Sequence, residues 1–237
     1  MKCAIVDERI SGKCERGLLL HGFRVIKMPA AHNLGEAVKS HPDMLMFKHK
    51  SRIITSAEYC EKFPYPFVDI REFSPDIEFT FADCVFEKEY PRDAVFNALT
   101  VGNSIFLKAD TVCRAIIEYA QKEGLTLYTV KQGYPACTTL AFANCAITAD
   151  GGMAKILKSA GVDVTLISDG DISLPPYEYG FIGGAAGVYG NTVYFLGNPE
   201  RHRDKDKILT AIENAGFSFV ALSDEPLRDL GRIIFTD

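Results

Sequence analysis

Short apolar runs alternate with polar turns along the whole chain, and one arrangement of them recurs. Residues 98–101 and 105–107 are apolar arms around Gly102-Asn103. Both turn residues tolerate positive φ, which suits a two-residue hairpin. Val112, Ile116, Ile117 and Ala120 then follow at helical spacing. Gly124 stops that helix, and residues 125–130 read as a third strand.

The same plan returns further on. Leu140 and Phe142 precede Ala143-Asn144, and residues 146–148 form the second arm. Asp150 caps a helix through Met153, Ile156 and Leu157, Gly161 ends it, and residues 162–167 are the strand. Another unit is centred on Gly190-Asn191, with Ile208, Leu209 and Ile212 on its helix and Gly216 after it. A weaker one spans residues 43–70, where Ile53-Ile54-Thr55 matches Ala146-Ile147-Thr148 and Pro64 and Pro66 predict an early helix end. The last is split between the ends of the chain. LGRIIFTD supplies a strand, and the N-terminus supplies strand 3–7, helix 12–21, Gly22 and strand 23–28.

Units of this length, one of them circularly permuted, predict an α/β chain closed into a ring of strand–strand–helix–strand modules. Closure removes exposed sheet edges. No Gly/Ser- or Pro-rich linker interrupts residues 1–237, so a single domain is expected. A doubly wound parallel sheet also alternates strands with helices, but it has no use for two-residue hairpins. Residues 73–91 fit least and read as an extra hairpin or an active-site loop.

Composition narrows the function classes. A net charge of −5 gives no concentrated basic surface, so no nucleic-acid partner is expected. The densest basic run, Lys48-His49-Lys50-Ser51-Arg52, reads as a solvated turn. The first residues lack the apolar stretch of a secretion signal, and no run approaches the ~20 residues that span a bilayer. A cytoplasmic protein with reduced thiols and no membrane partner is therefore expected. None of the seven cysteines forms a CxxC pair, which leaves a zinc or thioredoxin motif unsupported and no cofactor expected. Cys3, Cys84, Cys113 and Cys145 lie in apolar runs and read as core filling, and Cys14 and Cys60 as helix packing.

The runs KQGYPACTTL, ITADGG, GFIGGAAG, GNPERH and SDEPLRDLG, set in these five units, resemble a bacterial branch of the pentein superfamily of guanidino-group modifying enzymes. The resemblance implies a five-bladed β/α-propeller and a hydrolase or amidinotransferase acting on a small guanidino or related C–N substrate. In that family a cysteine thiolate attacks the guanidinium carbon. A histidine, commonly in His-x-Asp, serves as acid and base, and carboxylates hold the cation. Guanidinium is a poor electrophile, so it needs both positioning and a soft, activated nucleophile. The fold also has non-catalytic members that bind a protein or ribosomal partner, which is the alternative expectation.

Cys137 is the candidate nucleophile. Strand alternation puts Leu140 and Phe142 on one face and Cys137, Thr139 and Ala141 on the other, toward the ring axis. Two His-x-Asp triplets compete for the acid–base position, His41-Pro42-Asp43 and His202-Arg203-Asp204. By the same alternation Met44 corresponds to Cys137, so His41 and Asp43 face the helices unless Pro42 introduces a bulge. Asp204 reads equally well as a carboxylate at a helix start. Asp150 and Glu178 are candidate guanidinium holders, with helix capping the competing reading for Asp150. GGAAG, residues 183–187, lacks the following Lys-Ser/Thr of a phosphate loop and reads as close packing at the axis. The enzymes carry their cysteine in the last repeat, whereas LGRIIFTD has none. A nucleophilic thiolate at Cys137 needs a nearby cation. With no Lys or Arg adjacent in sequence, His41, His202 and helix dipoles are the expected sources, holding the thiol below the ordinary ~8.5.

Overall fold

In the computed structural model, which describes residues 2–237, each hairpin closes through a turn whose first residue has positive φ. These residues are Lys50, Gly102, Ala143 and Gly190. The second turn residue then fastens the unit's third strand. The amides of Glu78, Thr126, Asp163 and Ser218 donate to the carbonyls of Ser51, Asn103, Asn144 and Asn191. Asn103 and Asn144 also donate their side-chain amides to Gly124 and Gly161, the glycines that end the helices.

Among the described residues five three-stranded sheets result, each with an antiparallel pair and a parallel third strand, plus one two-stranded sheet. Met46–His49, Arg52–Ser56 and Glu78–Ala82 form one. Leu99–Val101, Ser104–Leu107 and Thr126–Thr129 form the next, with helix Arg114–Lys122 crossing between its last two strands. Thr139–Phe142, Cys145–Thr148 and Asp163–Leu166 follow, with helix Gly151–Ser159. Ala186–Tyr189, Thr192–Phe195 and Ser218–Ala221 follow with helix Lys205–Asn214. The fifth sheet is the split one. Ile234–Thr236 pairs antiparallel with Cys3–Asp7, Cys3 opposite Thr236, and Cys3–Asp7 pairs parallel with Arg24–Met28. The small sheet joins Ile172–Ser173 to Leu227–Arg228.

Apolar side chains fill the space between sheets and helices and interlock neighbouring units. Met153 and Leu157 of one helix pack with Ala146 of their own unit and with Phe106 of the preceding one. The glycine run of residues 183–187 packs closely. A Cβ on Gly183 would lie 2.2 Å from the Ala136 carbonyl oxygen, and one on Gly187 2.3 Å from that of Ile233.

One sequence expectation is extended and two change. The second unit's helix, Ala57–Lys62, does end short of Pro64. Pro64 then occupies the first turn of a further helix, Pro64–Phe73, where its missing N–H costs nothing. Glu78–Ala82 is that unit's third strand, and only the chain beyond it is irregular. Cys84 and Cys113 are not separate core fillers but a disulfide, which ties this segment to the start of helix Arg114–Lys122. Among the described residues no helix is long and apolar enough to cross a membrane.

The split sheet gives a direct test. Truncation after residue 233 removes the strand paired with Cys3–Asp7 and the Thr236 hydroxyl that bonds Ser74. Since a core strand at two interfaces is lost, cooperative destabilisation is expected, with a thermal midpoint lower by ~10 °C or more. An unchanged midpoint in calorimetry would contradict the assigned pairing.

Candidate active site

Each unit's first strand is preceded by a short segment, and these segments converge. Two of them are single helical turns opened by proline, Pro42–Leu45 before Met46 and Pro135–Thr138 before Thr139. Proline fixes φ at the first helical position and keeps the residue before it out of the helix. His41 accordingly has φ −63 and ψ 119. Strand alternation therefore stops at Met46 and Thr139. Cys137 lies on a helical turn rather than on the strand, and His41 and Asp43 do not face the helix layer. No bulge is needed, because the turn itself redirects them.

The result is a buried cluster. The Cys137 thiol donates to Asp43 Oδ2 at 2.8 Å. The donor atoms of His41, Asp43 and Cys137 all lie within 4.8 Å of one another. Asn97, just ahead of Leu99–Val101, accepts from the Ala136 amide through Oδ1 at 2.8 Å. That fixes its NH₂ toward Cys137 Sγ at 3.2 Å and the Asp43 carbonyl at 3.3 Å. Asp229, ahead of the last strand, accepts from the amides of Phe181 and Gly231. Its Oδ1 is 3.9 Å from His41 Nδ1, while Asp7 Oδ2 is 3.8 Å from His41 Nε2. Asp7 is held behind the cluster by Arg9 and Ser40.

Glycines let these parts approach. A Cβ on Gly184 would sit 1.9 Å from Asp229 Oδ1, and one on Gly231 2.1 Å from His41 Cβ. Gly231 also has φ +69, which few other residues adopt. The Asp43 amide donates to the Gly231 carbonyl and the Gly184 amide to that of Cys137, so four units are locked around the cluster.

His41, Cys137 and Asp229 form the floor of a cavity of about 490 Å³. Tyr90, Tyr134, Tyr177, Tyr179 and Phe181 wall it, and Lys88, Asp93 and Glu178 add charge. Tyr134 donates its hydroxyl to Asp93 Oδ2 at 2.7 Å, while Asp93 Oδ1 is buried without a partner. Lys88, Tyr90 and Asp93 come from the segment that follows the second unit, so part of the ill-fitting stretch 73–91 is cavity wall.

The remaining sequence candidates separate. Glu178 lines this cavity. Asp150 caps helix Gly151–Ser159 through the amides of Gly152 and Met153, and lines a different cavity. His202 is buried elsewhere, its Nδ1 accepting from the Asp204 amide, and does not line the Cys137 cavity. Asp204 pairs with Lys207 and accepts from the Ser168 amide. Asn97, Asp229, Arg232, Asp93 and Asp7 escaped the sequence reading. Asn97, Asp93, Asp229 and Arg232 lie just before a first strand, so aligning the units on those strands places them at the depth of Cys137.

Burial sets the electrostatics. It pushes Asp43 up to about 6, with its bond from Cys137 pulling the other way. It pushes Asp229 up to about 7, reinforced by the charge of Asp43. His41 is driven down to about 3 by burial, against the pull of Asp7, and is neutral at physiological pH. Burial, then the charges of Asp43 and Asp229, hold the Cys137 thiol well above its ordinary value. The expectation of a thiol below ~8.5 is thus reversed. His41 carries no charge to offer. A buried cation that acts electrostatically on Asp43 and Cys137 is Arg232, remote in sequence, whose own proton affinity burial reduces. The site is acid-rich and short of positive charge, which favours a cationic guest.

That imbalance predicts a reagent preference. At pH 7, neutral chloroacetamide should label Cys137 slowly, with a rate still rising with pH above 9. Cationic 2-chloroacetamidine, normalised to a free thiol, should label it at least ~10-fold faster, because one added charge at this depth is worth more than a pKa unit. Asp43→Asn should speed labelling by the neutral reagent. Equal normalised rates by peptide mass spectrometry would reject this account of the site.

No curated protein matches this chain by sequence. Solved structures do match in fold. A histidine-to-glycine variant of dimethylarginine dimethylaminohydrolase, as its adduct with S-methyl-L-thiocitrulline, superposes with a TM-score of 0.56 at 12% identity, covering 94% of this chain and 92% of that one. The Pseudomonas aeruginosa dimethylarginine dimethylaminohydrolase, a cysteine-to-serine variant complexed with citrulline, gives 0.55 at 13% over 94% and 91%. Inosamine-phosphate amidinotransferase from Streptomyces griseus gives 0.53 at 13% over 95% and 79%. The mixed α/β fold of small sheets is therefore that of the pentein superfamily. Residues 5–234 match the family described as "Family of unknown function (DUF6873)", and the chain belongs to that family.

Proposed function

We propose that this chain is a cysteine-dependent enzyme acting on a guanidino or related amidine-type C–N group, as a hydrolase or amidinotransferase. The observation that carries the reading is the Cys137 thiol bonded to Asp43 Oδ2 at 2.8 Å, beside neutral His41, at the bottom of an open cavity. The pentein fold and its guanidino-modifying neighbours support it. In this reading the five units close into one β/α-propeller domain over residues 1–237, with the site at its axis.

The steps follow from the electrostatics. A guanidinium enters among Asp43, Asp229 and the wall carboxylates Asp93 and Glu178. Its charge brings the Cys137 thiol within reach of ionisation, and the proton passes to Asp43. The Asn97 NH₂ steadies the thiolate, since an N–H donor favours the charged form. Sulfur bonds to the planar carbon. The departing nitrogen takes the proton back through Asp43 and leaves as a neutral amine or ammonia. Neutral His41 then takes a proton from water, or from an acceptor amine, as that nucleophile attacks the S-linked amidinium and expels the thiolate. Water as acceptor gives a urea or ureido product, and an amine gives amidino transfer. No bound metal or cofactor is required by this sequence.

The alternative, a non-catalytic member binding a protein or ribosomal partner, has no use for an open cavity floored by Cys137, His41 and Asp229. Nor does it need Asn97 turned onto the sulfur.

The test is a panel of alkylguanidines and amidines assayed for released ammonia, amine or ureido product. Cys137→Ser should lower turnover at least ~10³-fold with an unchanged circular dichroism spectrum, and His41→Gln ~10²–10⁴-fold. Turnover that survives Cys137→Ser, or none with any cationic C–N compound, would overturn the proposal.

A further inference from the structure

The cluster that serves a thiolate also has the donors of a metal site, although no local motif in the sequence announces one. We propose that His41, Asp43 and Cys137 together bind one thiophilic divalent cation of the zinc type, with its fourth position open to the cavity.

The donor set is one sulfur, one imidazole nitrogen and one carboxylate oxygen, all within 4.8 Å of one another. That is the mix a borderline-soft ion takes, and three protein ligands with one open position is its usual reactive arrangement. A second observation points the same way. Both ring nitrogens of His41 and Oδ1 of Asp43 are buried without a hydrogen-bond partner. Buried polar atoms are rarely left so, since each costs free energy unless something satisfies it. His41 is moreover flanked on both sides by carboxylates, Asp229 at Nδ1 and Asp7 at Nε2. Whichever nitrogen faces the ion, the other faces a carboxylate, the pairing that orients metal-bound imidazoles.

The frame is stiff, and the adjustment needed is small. Cys137 Sγ and Asp43 Oδ2 now share a proton at 2.8 Å. Ligands of a tetrahedral zinc lie roughly 3.5 Å apart, so the ion must part sulfur and oxygen by under about 1 Å and draw the imidazole nitrogen in by about 1 Å. On binding, the metal–sulfur bond forms and the thiol proton is released to solvent. The thiolate and carboxylate then neutralise the dication, while the neighbouring Arg232 guanidinium opposes it. The ion occupies the space above Cys137, so it and a cationic amidine compete for the same sulfur. Metal binding does not depend on the guanidino reading.

The experiment uses the full chain, freed of metal with a chelator and titrated with cobalt(II). We expect a 1:1 complex with a thiolate-to-cobalt charge-transfer band in the near ultraviolet and the intense visible bands of a four-coordinate ion, both bleached by zinc. The charge-transfer band should vanish in Cys137→Ser. His41→Gln should weaken binding at least ~10-fold. The double variant Cys60→Ser, Cys145→Ser, which removes the half-exposed thiols, should behave like the parent. Zinc should also protect Cys137 from 2-chloroacetamidine in the unaltered protein, which keeps the test open if a buried variant fails to fold. No charge-transfer band, a band that survives Cys137→Ser, or labelling unchanged by zinc would overturn the metal site. If the metal fails while Cys137 still labels quickly with the cationic reagent, the nucleophile reading stands. If cobalt binds while Cys137 labels slowly with both reagents, the nucleophile reading falls instead.

Discussion

Burying Asp43, Asp229, His41 and Cys137 around one small floor is the constraint on which the rest of the structure turns. Charge is expensive there, and the protein supplies little to offset it. Both carboxyls are pushed upward, to about 6 and about 7, His41 is kept neutral, and the thiol is kept protonated. Such a site is poised. A single arriving cation changes the preferred protonation state of several groups at once, because at low effective dielectric each interaction is large. Under the proposed function, the Cys137 thiol would stay protonated until a cationic guest arrives.

The fold makes this crowding feasible. Each unit contributes the residues just ahead of its first strand: His41 and Asp43, Asp93 and Asn97, Cys137, Phe181, and Asp229 with Arg232. Proline-opened turns aim two of these segments inward. Glycines at 184 and 231 let backbone pass where any side chain would collide with Asp229 or His41. The Asn97 amide cannot flip without surrendering the Ala136 N–H, so its donor toward sulfur is built in rather than recruited. These are rigid elements converging from separate units, which is how a scaffold holds reacting groups within fractions of an ångström.

Much of the architecture was legible in the sequence because its signals are local. Gly-Asn and Ala-Asn turns, helical spacing after them and a glycine at each helix end all act within a few residues, and the split unit's pairing of Cys3–Asp7 with Ile234–Thr236 followed from the half-unit at each end. The site was legible by residue type but not by direction. Cys137, His41 and Asp43 stand out by type, yet period-two alternation does not extend past the strand into residues that form a helical turn. Pro42 and Pro135 are the signal of this, since both suit a helix start. Asn97, Asp229 and Arg232 carry no motif and gain meaning only through tertiary packing. The Cys84–Cys113 bond was hidden for the same reason, its partners being separated by 29 positions and a whole hairpin. The His202 triplet has the right letters, but it sits at the start of helix Lys205–Asn214, where its nitrogen and Asp204 serve backbone amides.

The central claim is that Cys137 bonds covalently to the carbon of a cationic C–N substrate. Acid-quenched mass spectrometry of the protein mixed with a turned-over guanidino compound tests it most directly. The account predicts a transient adduct of one amidino or alkylamidino group, confined to the peptide that contains Cys137 and absent from Cys137→Ser. Product formation with no adduct at any quench time, or an adduct on another residue, would contradict it.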